Sequence, residues 1–226
     1  MKYLYYIKYF FYITFNWNLR LALFTIYHEI RGERKYKINT TRLNNLKNIT
    51  LRGNRSNAEV YQGANYFLLE KVFKEMRSMG VNYSLIDFGS GKGRVMVVAA
   101  YYGFEKIIGL EFGKQLCEVA KKTIIPVQQL FPQKVLNVYY TDASHYKIDD
   151  HANVFFFFNP FNEIVMQQVI KNILYSLKSL PREVFVIYIN PIHKEIFLSA
   201  GFEQIFDYQK YYYIQVSILM KAKCLE

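Results

Sequence analysis

Leu85–Ala100 reads LIDFGSGKGRVMVVAA, and the fold follows from how this stretch divides. Leu85–Phe88 has the composition of a buried strand, Gly89, Gly91 and Gly93 predict a tight turn, and Arg94–Ala100 predicts the start of a small-residue helix. Strand, glycine turn and helix form the unit with which a doubly wound α/β sheet holds a nucleotide-like ligand at the carboxyl end of a strand. The glycines are spaced G-x-G-x-G, with Asp87 two residues ahead of the first. A dinucleotide site prefers G-x-G-x-x-G, because a pyrophosphate has to reach the helix N-terminus. A carboxylate at Asp87 repels that anion and attracts an ammonium or sulfonium. The expected ligand therefore carries positive charge.

Three later stretches extend the pattern in order. Ile107–Glu111 ends a second strand on an acid, Thr141-Asp142-Ala143 follows a third, and Asn153–Phe161 (NVFFFFNPF) contains a fourth that stops at Asn159-Pro160-Phe161. With D-x-G-S-G-x-G, these stretches resemble motifs of the class I S-adenosylmethionine-dependent methyltransferases over about Tyr83 to Leu219. Within that superfamily the GSGKGR signature is similar to bacterial members distantly related to the lysine-methylating Dot1-like group. The resemblance implies a Rossmann-like seven-stranded sheet with an antiparallel C-terminal edge strand, and S-adenosyl-L-methionine as cofactor.

The resemblance also implies roles. Gly89, Ser90, Gly91 and Gly93 would form the cofactor turn, with Asp87 on the methionine amino group and Glu111 on both ribose hydroxyls. Asp142 would accept from the adenine amino group, with Ala143 flanking the ring and Tyr61, together with Gln62 and Tyr66, in a lid. Asn159 and Pro160 would accept hydrogen bonds from an amine, leaving Phe161 to wall the acceptor pocket. Plainer readings stand beside these: Asp87 as a turn or cap, Asp142 as a surface turn, the tyrosines as core, and Asn159-Pro160 as a stopped strand. Amino-methylating relatives carry a second proline before the aromatic. Its absence here leaves nitrogen on a protein or small molecule as the expected acceptor and counts against a DNA base. The expected activity is methyl transfer. The alternatives are a non-catalytic cofactor-binding or membrane-associated protein and an NAD-dependent oxidoreductase.

The 226 residues suit one α/β domain, 61–226, behind an N-terminal extension, 1–60. The net charge of +11 is concentrated in that extension, where 11 Lys/Arg face three acids, Glu29, Glu33 and Glu59. The apolar, aromatic window Tyr9–His28 has nearly the length of a membrane span but carries Asn16, Asn18 and Arg20 at its centre. The extension is expected either to pack over the crevice or to meet an anionic membrane surface peripherally. Arg31–Arg55 is polar and basic and reads as loops, with an anion-facing surface as its functional reading.

Leu68, Val72, Met76 and Met79 recur at helical spacing within Tyr61–Gly80. Gly113–Lys122 reads as a helix, and Pro126 and Pro132 as the borders of a loop. Asn190-Pro191 closes the fifth strand as Asn159-Pro160 closes the fourth. Cys117 and Cys224 have no redox or metal spacing, and no secretory cleavage pattern is present, so a reduced cytoplasmic setting is expected. His28, His145, His151 and His193 are scattered without ligand spacing, so no metal is expected. There is no G-x-S-x-G elbow and no G-K-[ST] phosphate loop.

Overall fold

The computed structural model describes residues 2–41, 63–81 and 84–223. Seven strands form one sheet: β1 (Ser84–Phe88), β2 (Lys106–Glu111), β3 (Val135–Tyr140), β4 (Val154–Phe158), β5 (Val184–Ile189), β6 (Glu203–Lys210) and β7 (Ile214–Lys221). Their order is β3-β2-β1-β4-β5-β7-β6. The first five pair in parallel, and β7 runs antiparallel to both β5 and β6. The antiparallel strand therefore sits one place in from the border, which β6 forms. Side chains explain this order. β7 offers Ile214, Val216, Ile218 and Leu219 for burial, whereas β6 is largely exposed and carries Glu203, Gln204, Asp207 and Gln209.

The sheet has a core on each face. Leu85 and Phe156 point to the face covered by α3 (Tyr66–Ser78), α4 (Arg94–Tyr101) and α5 (Lys114–Leu130). Ile86, Phe88, Phe155 and Phe157 point to the face covered by α6 (Glu163–Ser179) and α7 (Lys194–Ser199). The unbroken run VFFFF of β4 follows from this, because a central parallel strand is buried on both sides. Phe88 and Phe157 stack across adjacent strands with centroids 4.7 Å apart.

Two sequence expectations change within the α/β domain. The loop expected from Pro126 is instead the last part of α5, which runs through the proline to Leu130. Pro126 lies on the solvent side while Ile124 and Val127 are buried beside it, and Gln128 donates to the Lys134 carbonyl and accepts from Leu136 N. Burial and these bonds outweigh the missing N–H. The helix expected over Tyr61–Gly80 begins at Tyr66, because Asn65 caps it by accepting from Phe67 N at 2.9 Å.

The N-terminal apolar window is broken into a hairpin of α1 (Lys2–Asn16) and α2 (Leu19–Tyr36), with Asn18 capping α2 through Leu21 N at 2.8 Å. Among the described residues no helix is long and apolar enough to cross a membrane. α2 continues through Arg31, Arg34 and Lys35, which the polar composition had placed in loops. Its inward side explains the continuation: Glu29, Gly32, Glu33 and Tyr36 are all buried. Gly32 lies flat on a tyrosine, since a Cβ there would come within 2.2 Å of Tyr66 Cγ. The remaining basic stretch, 42–55, and the division at residue 60 lie outside the described residues.

Candidate active site

The glycine turn wraps the carboxyl end of β2. Gly89 N and Ser90 N both donate to the Leu110 carbonyl at 2.9 Å, and Gly91 N donates to Glu111 Oε2 at 2.8 Å. Gly89 has φ +78°, and a Cβ there would meet Pro160 Cβ at 2.7 Å. This position requires glycine on both counts: the backbone is left-handed, and the segment after β4 lies against it. The turn after β1 and the Asn159-Pro160-Phe161 segment therefore form one site.

Two buried carboxylates face this turn from neighbouring parallel strands. Glu111 accepts from Gly91 N through Oε2 and from Gly113 N at 2.7 Å through Oε1. A carboxylate has about four acceptor sites, so these backbone donors leave it capacity for a ligand hydroxyl. Burial pushes the Glu111 carboxyl up, and backbone N–H donors of Gly113, Gly91 and Phe112 oppose that. Asp87 is pushed well above the usual carboxylate range, first by burial and then by the Glu111 charge. Its Oδ2 is buried without a hydrogen-bond partner, as are Ser90 Oγ and Asn159 Oδ1. Acceptors left unpaired in a dry site cost free energy until a donor arrives. The set fits a ligand with an ammonium group and a vicinal diol, and disfavours an anion at Asp87.

Asn159 holds a left-handed backbone, φ +40°, directly after β4, and Asn190 holds φ +51° directly after β5. Phe158 pairs with Ile189, so the two Asn-Pro steps occupy equivalent positions on adjacent strands. Asn190 is tied by its N–H to the Gln215 carbonyl at 3.0 Å. Phe161 is buried edge-on to Phe157 with centroids 6.3 Å apart.

The other candidates fare differently. Asp142 Oδ1 caps a 3₁₀ turn over Ala143–His145 by accepting from Ser144 N at 2.9 Å and Ser144 Oγ at 2.7 Å. The turn role thus occupies one Asp142 oxygen, and Ala143 is buried beneath it. His145 is exposed on the same turn. Tyr66 is fully buried and stacks on Tyr36 at 5.8 Å, so it belongs to the core and not to a lid. Tyr61 and Gln62 lie outside the described residues. Among the described residues no group of three His, Cys, Asp or Glu could hold a metal ion.

Arg94, which the sequence pattern marks only as the start of α4, joins that helix to the N-terminal hairpin. Its guanidinium meets Glu29 of α2 through both nitrogens, Nη1 to Oε1 at 2.9 Å and Nη2 to Oε2 at 2.8 Å. It also donates to Thr40 Oγ1, Thr41 Oγ1 and the Ala64 carbonyl, and lies 4.2 Å over the Tyr66 ring. Four residues on, Glu33 accepts from Tyr6 Oη at 2.6 Å and from Thr40 N and Thr41 N. The hairpin is thereby bolted to the helix that starts at the glycine turn. Glu29 and Glu33, isolated acids one helical turn apart in a basic segment, were the available signal.

No curated protein matches the chain. Among solved structures, an Escherichia coli protein assigned as a methyltransferase shares 12% identity, covering 74% of this chain and 91% of that one, with a TM-score of 0.56. A Pyrococcus horikoshii protein assigned as an RNA methyltransferase shares 17%, covering 80% and 96%, with a TM-score of 0.53. The ribosomal protein L11 methylase of Lactobacillus delbrueckii subsp. bulgaricus shares 14%, covering 74% and 91%, with a TM-score of 0.50. These likenesses establish the fold. The profile of the histone methylation protein DOT1 family matches residues 36–216, a span that holds the glycine turn, Glu111 and Asn159-Pro160-Phe161. The chain belongs to the DOT1 methyltransferase family and uses S-adenosylmethionine as its methyl donor.

Proposed function

We propose that the methyl acceptor is an amine nitrogen, on a protein or small molecule, held at the carboxyl end of β4 by Asn159, Pro160 and Phe161. The observation that carries this reading is the buried, partnerless Asn159 Oδ1 on a left-handed backbone, in a segment whose proline touches Gly89. Asn159 Oδ1 and the Pro160 carbonyl accept N–H bonds, which fixes the direction of the nitrogen lone pair. Phe161 and Phe157 close the wall and keep water out. Asp87 and Ser90 take the cofactor's ammonium end, Glu111 the ribose hydroxyls, and the amides of the glycine turn shape the space between. Asp142 and Ala143 border the adenine end.

The bound cofactor supplies a sulfonium methyl already activated for displacement. The chain therefore has to orient and desolvate the acceptor, and needs no nucleophilic triad. The test is a labelled-methyl assay on cell extract, followed by turnover measurements on the acceptor identified. Asn159→Ala should leave S-adenosylhomocysteine affinity unchanged and slow turnover about tenfold, the value of one neutral hydrogen bond made to the reacting group. Equal loss of affinity and turnover would make Asn159 structural.

A further inference from the structure

α1 packs on the domain through one edge only. Tyr6 and Ile13 are buried, and Phe10 packs against the core. On the opposite edge Leu4, Ile7, Phe11 and Phe15 recur at helical spacing and face solvent, Phe15 with 82% of its surface exposed. The surface helix is thus apolar on its outer side, the reverse of what water selects. Trp17 and Leu19 at the hairpin turn, and Leu23 and Tyr27 on α2, are exposed as well.

A second element reaches the same patch. Trp17 contacts Tyr213 at 6.1 Å, in the turn joining β6 to β7. In that turn Tyr211 and Tyr212 hold left-handed φ of 52° and 64°, an unfavourable backbone that leaves Tyr212 73% exposed. So many exposed apolar side chains on one hairpin and the turn it touches mark a docking face.

Its chemistry selects the occupant. Residues 1–28 contain no acid, and exposed Lys8 and Arg20 are set among the apolar groups. Lys210 lies 4.4 Å over the Phe24 ring at the edge of the patch. Aliphatic and phenyl groups flanked by Trp, Tyr and cations match the boundary between hydrocarbon and anionic headgroups. A second copy of this face would set one cationic surface against another, with no acid from residues 1–28 to pair with Lys8, Arg20 or Lys210. We propose that the α1–α2 hairpin and the β6–β7 turn dock the enzyme on an anionic lipid surface, lying in its interface without spanning it.

The test is co-sedimentation of the full chain with vesicles of phosphatidylcholine and phosphatidylglycerol, against pure phosphatidylcholine, at low and high salt. The full chain should sediment with the anionic vesicles and bind pure phosphatidylcholine more weakly. Lys8→Gln and Arg20→Gln should each weaken binding about fivefold, from about 1 kcal/mol per basic residue near such a surface. Phe15→Ser with Tyr212→Ser should abolish sedimentation while leaving circular dichroism and S-adenosylhomocysteine affinity unchanged, because both side chains project into solvent. Failure of the intact chain to sediment would overturn the proposal, as would sedimentation indifferent to the double substitution. A concentration-dependent dimer that the double substitution dissolves, without vesicle binding, would overturn it in favour of self-association.

Discussion

Replacing Arg94 by methionine keeps the stem of the side chain and removes its head. In the folded protein Arg94 and Glu29 are 3% and 4% exposed, and the pair is bidentate. Truncation leaves the Glu29 carboxylate buried with only the Thr41 hydroxyl donating to it among the bonds that held it. Breaking one side of such a pair costs about 3–5 kcal/mol, because the surviving charge stays desolvated. For a domain of this size that is a fall in Tm of about 6–20 °C. The cost belongs to the unpaired charge, so Arg94→Met combined with Glu29→Gln should be much less destabilised than the two single changes added together. α4 begins at Arg94, so S-adenosylhomocysteine affinity should fall in the single variant and recover in the double. Urea denaturation of all four proteins closes the cycle, and calorimetry reads the affinity. Additive losses, or a single-variant cost under about 1 kcal/mol, would refute the claim that this buried pair ties the hairpin to the glycine turn.

Gly89→Ala should give a folded protein by circular dichroism with impaired S-adenosylhomocysteine binding, since it adds left-handed strain of about 1–2 kcal/mol and a 2.7 Å approach to Pro160. Wild-type affinity in that variant would contradict the described contact. Phe157→Ala should cost about 3–5 kcal/mol in urea, because the ring packs on Phe88, Phe161, Tyr188 and Phe197. Asp87 and Glu111 are both raised above their unfolded values. Their contribution to stability is full at low pH and is lost as pH rises through the folded values. An ammonium ligand binds the ionised forms and offsets that loss, so the thermal shift caused by S-adenosylhomocysteine should be larger at pH 8 than at pH 5. A shift that shrinks with rising pH would contradict the assignment of Asp87.

Much of the fold was legible because its determinants are local. The β1 strand, its glycine turn and the aromatic β4 run each declare themselves in fewer than ten residues. The positions of Asp87, Glu111 and Asn159 are equally local in origin, since each lies at or just beyond the end of a parallel strand. The misread parts depend on partners distant in sequence. α5 survives Pro126 because Ile124 and Val127 are buried and Gln128 reaches Leu136. α2 outlasts its basic composition because its inner side meets Tyr66 and Arg94. Arg94 could not be recognised as an anchor from its neighbours in sequence, since Glu29 lies 65 positions away.

The central claim is that Asp87 and Glu111, flanking the glycine turn, bind S-adenosylmethionine, and titration calorimetry tests it most directly. S-adenosylhomocysteine should bind the wild-type protein and NAD should not. Asp87→Ala and Glu111→Ala should each weaken S-adenosylhomocysteine about tenfold to a hundredfold, the scale of a hydrogen bond to a charged group. Asp87→Ala should do so without loss of stability in the free protein, because it removes a buried carboxyl oxygen that has no partner there. Unchanged affinity in both variants, or NAD binding as tight as S-adenosylhomocysteine, would contradict the account.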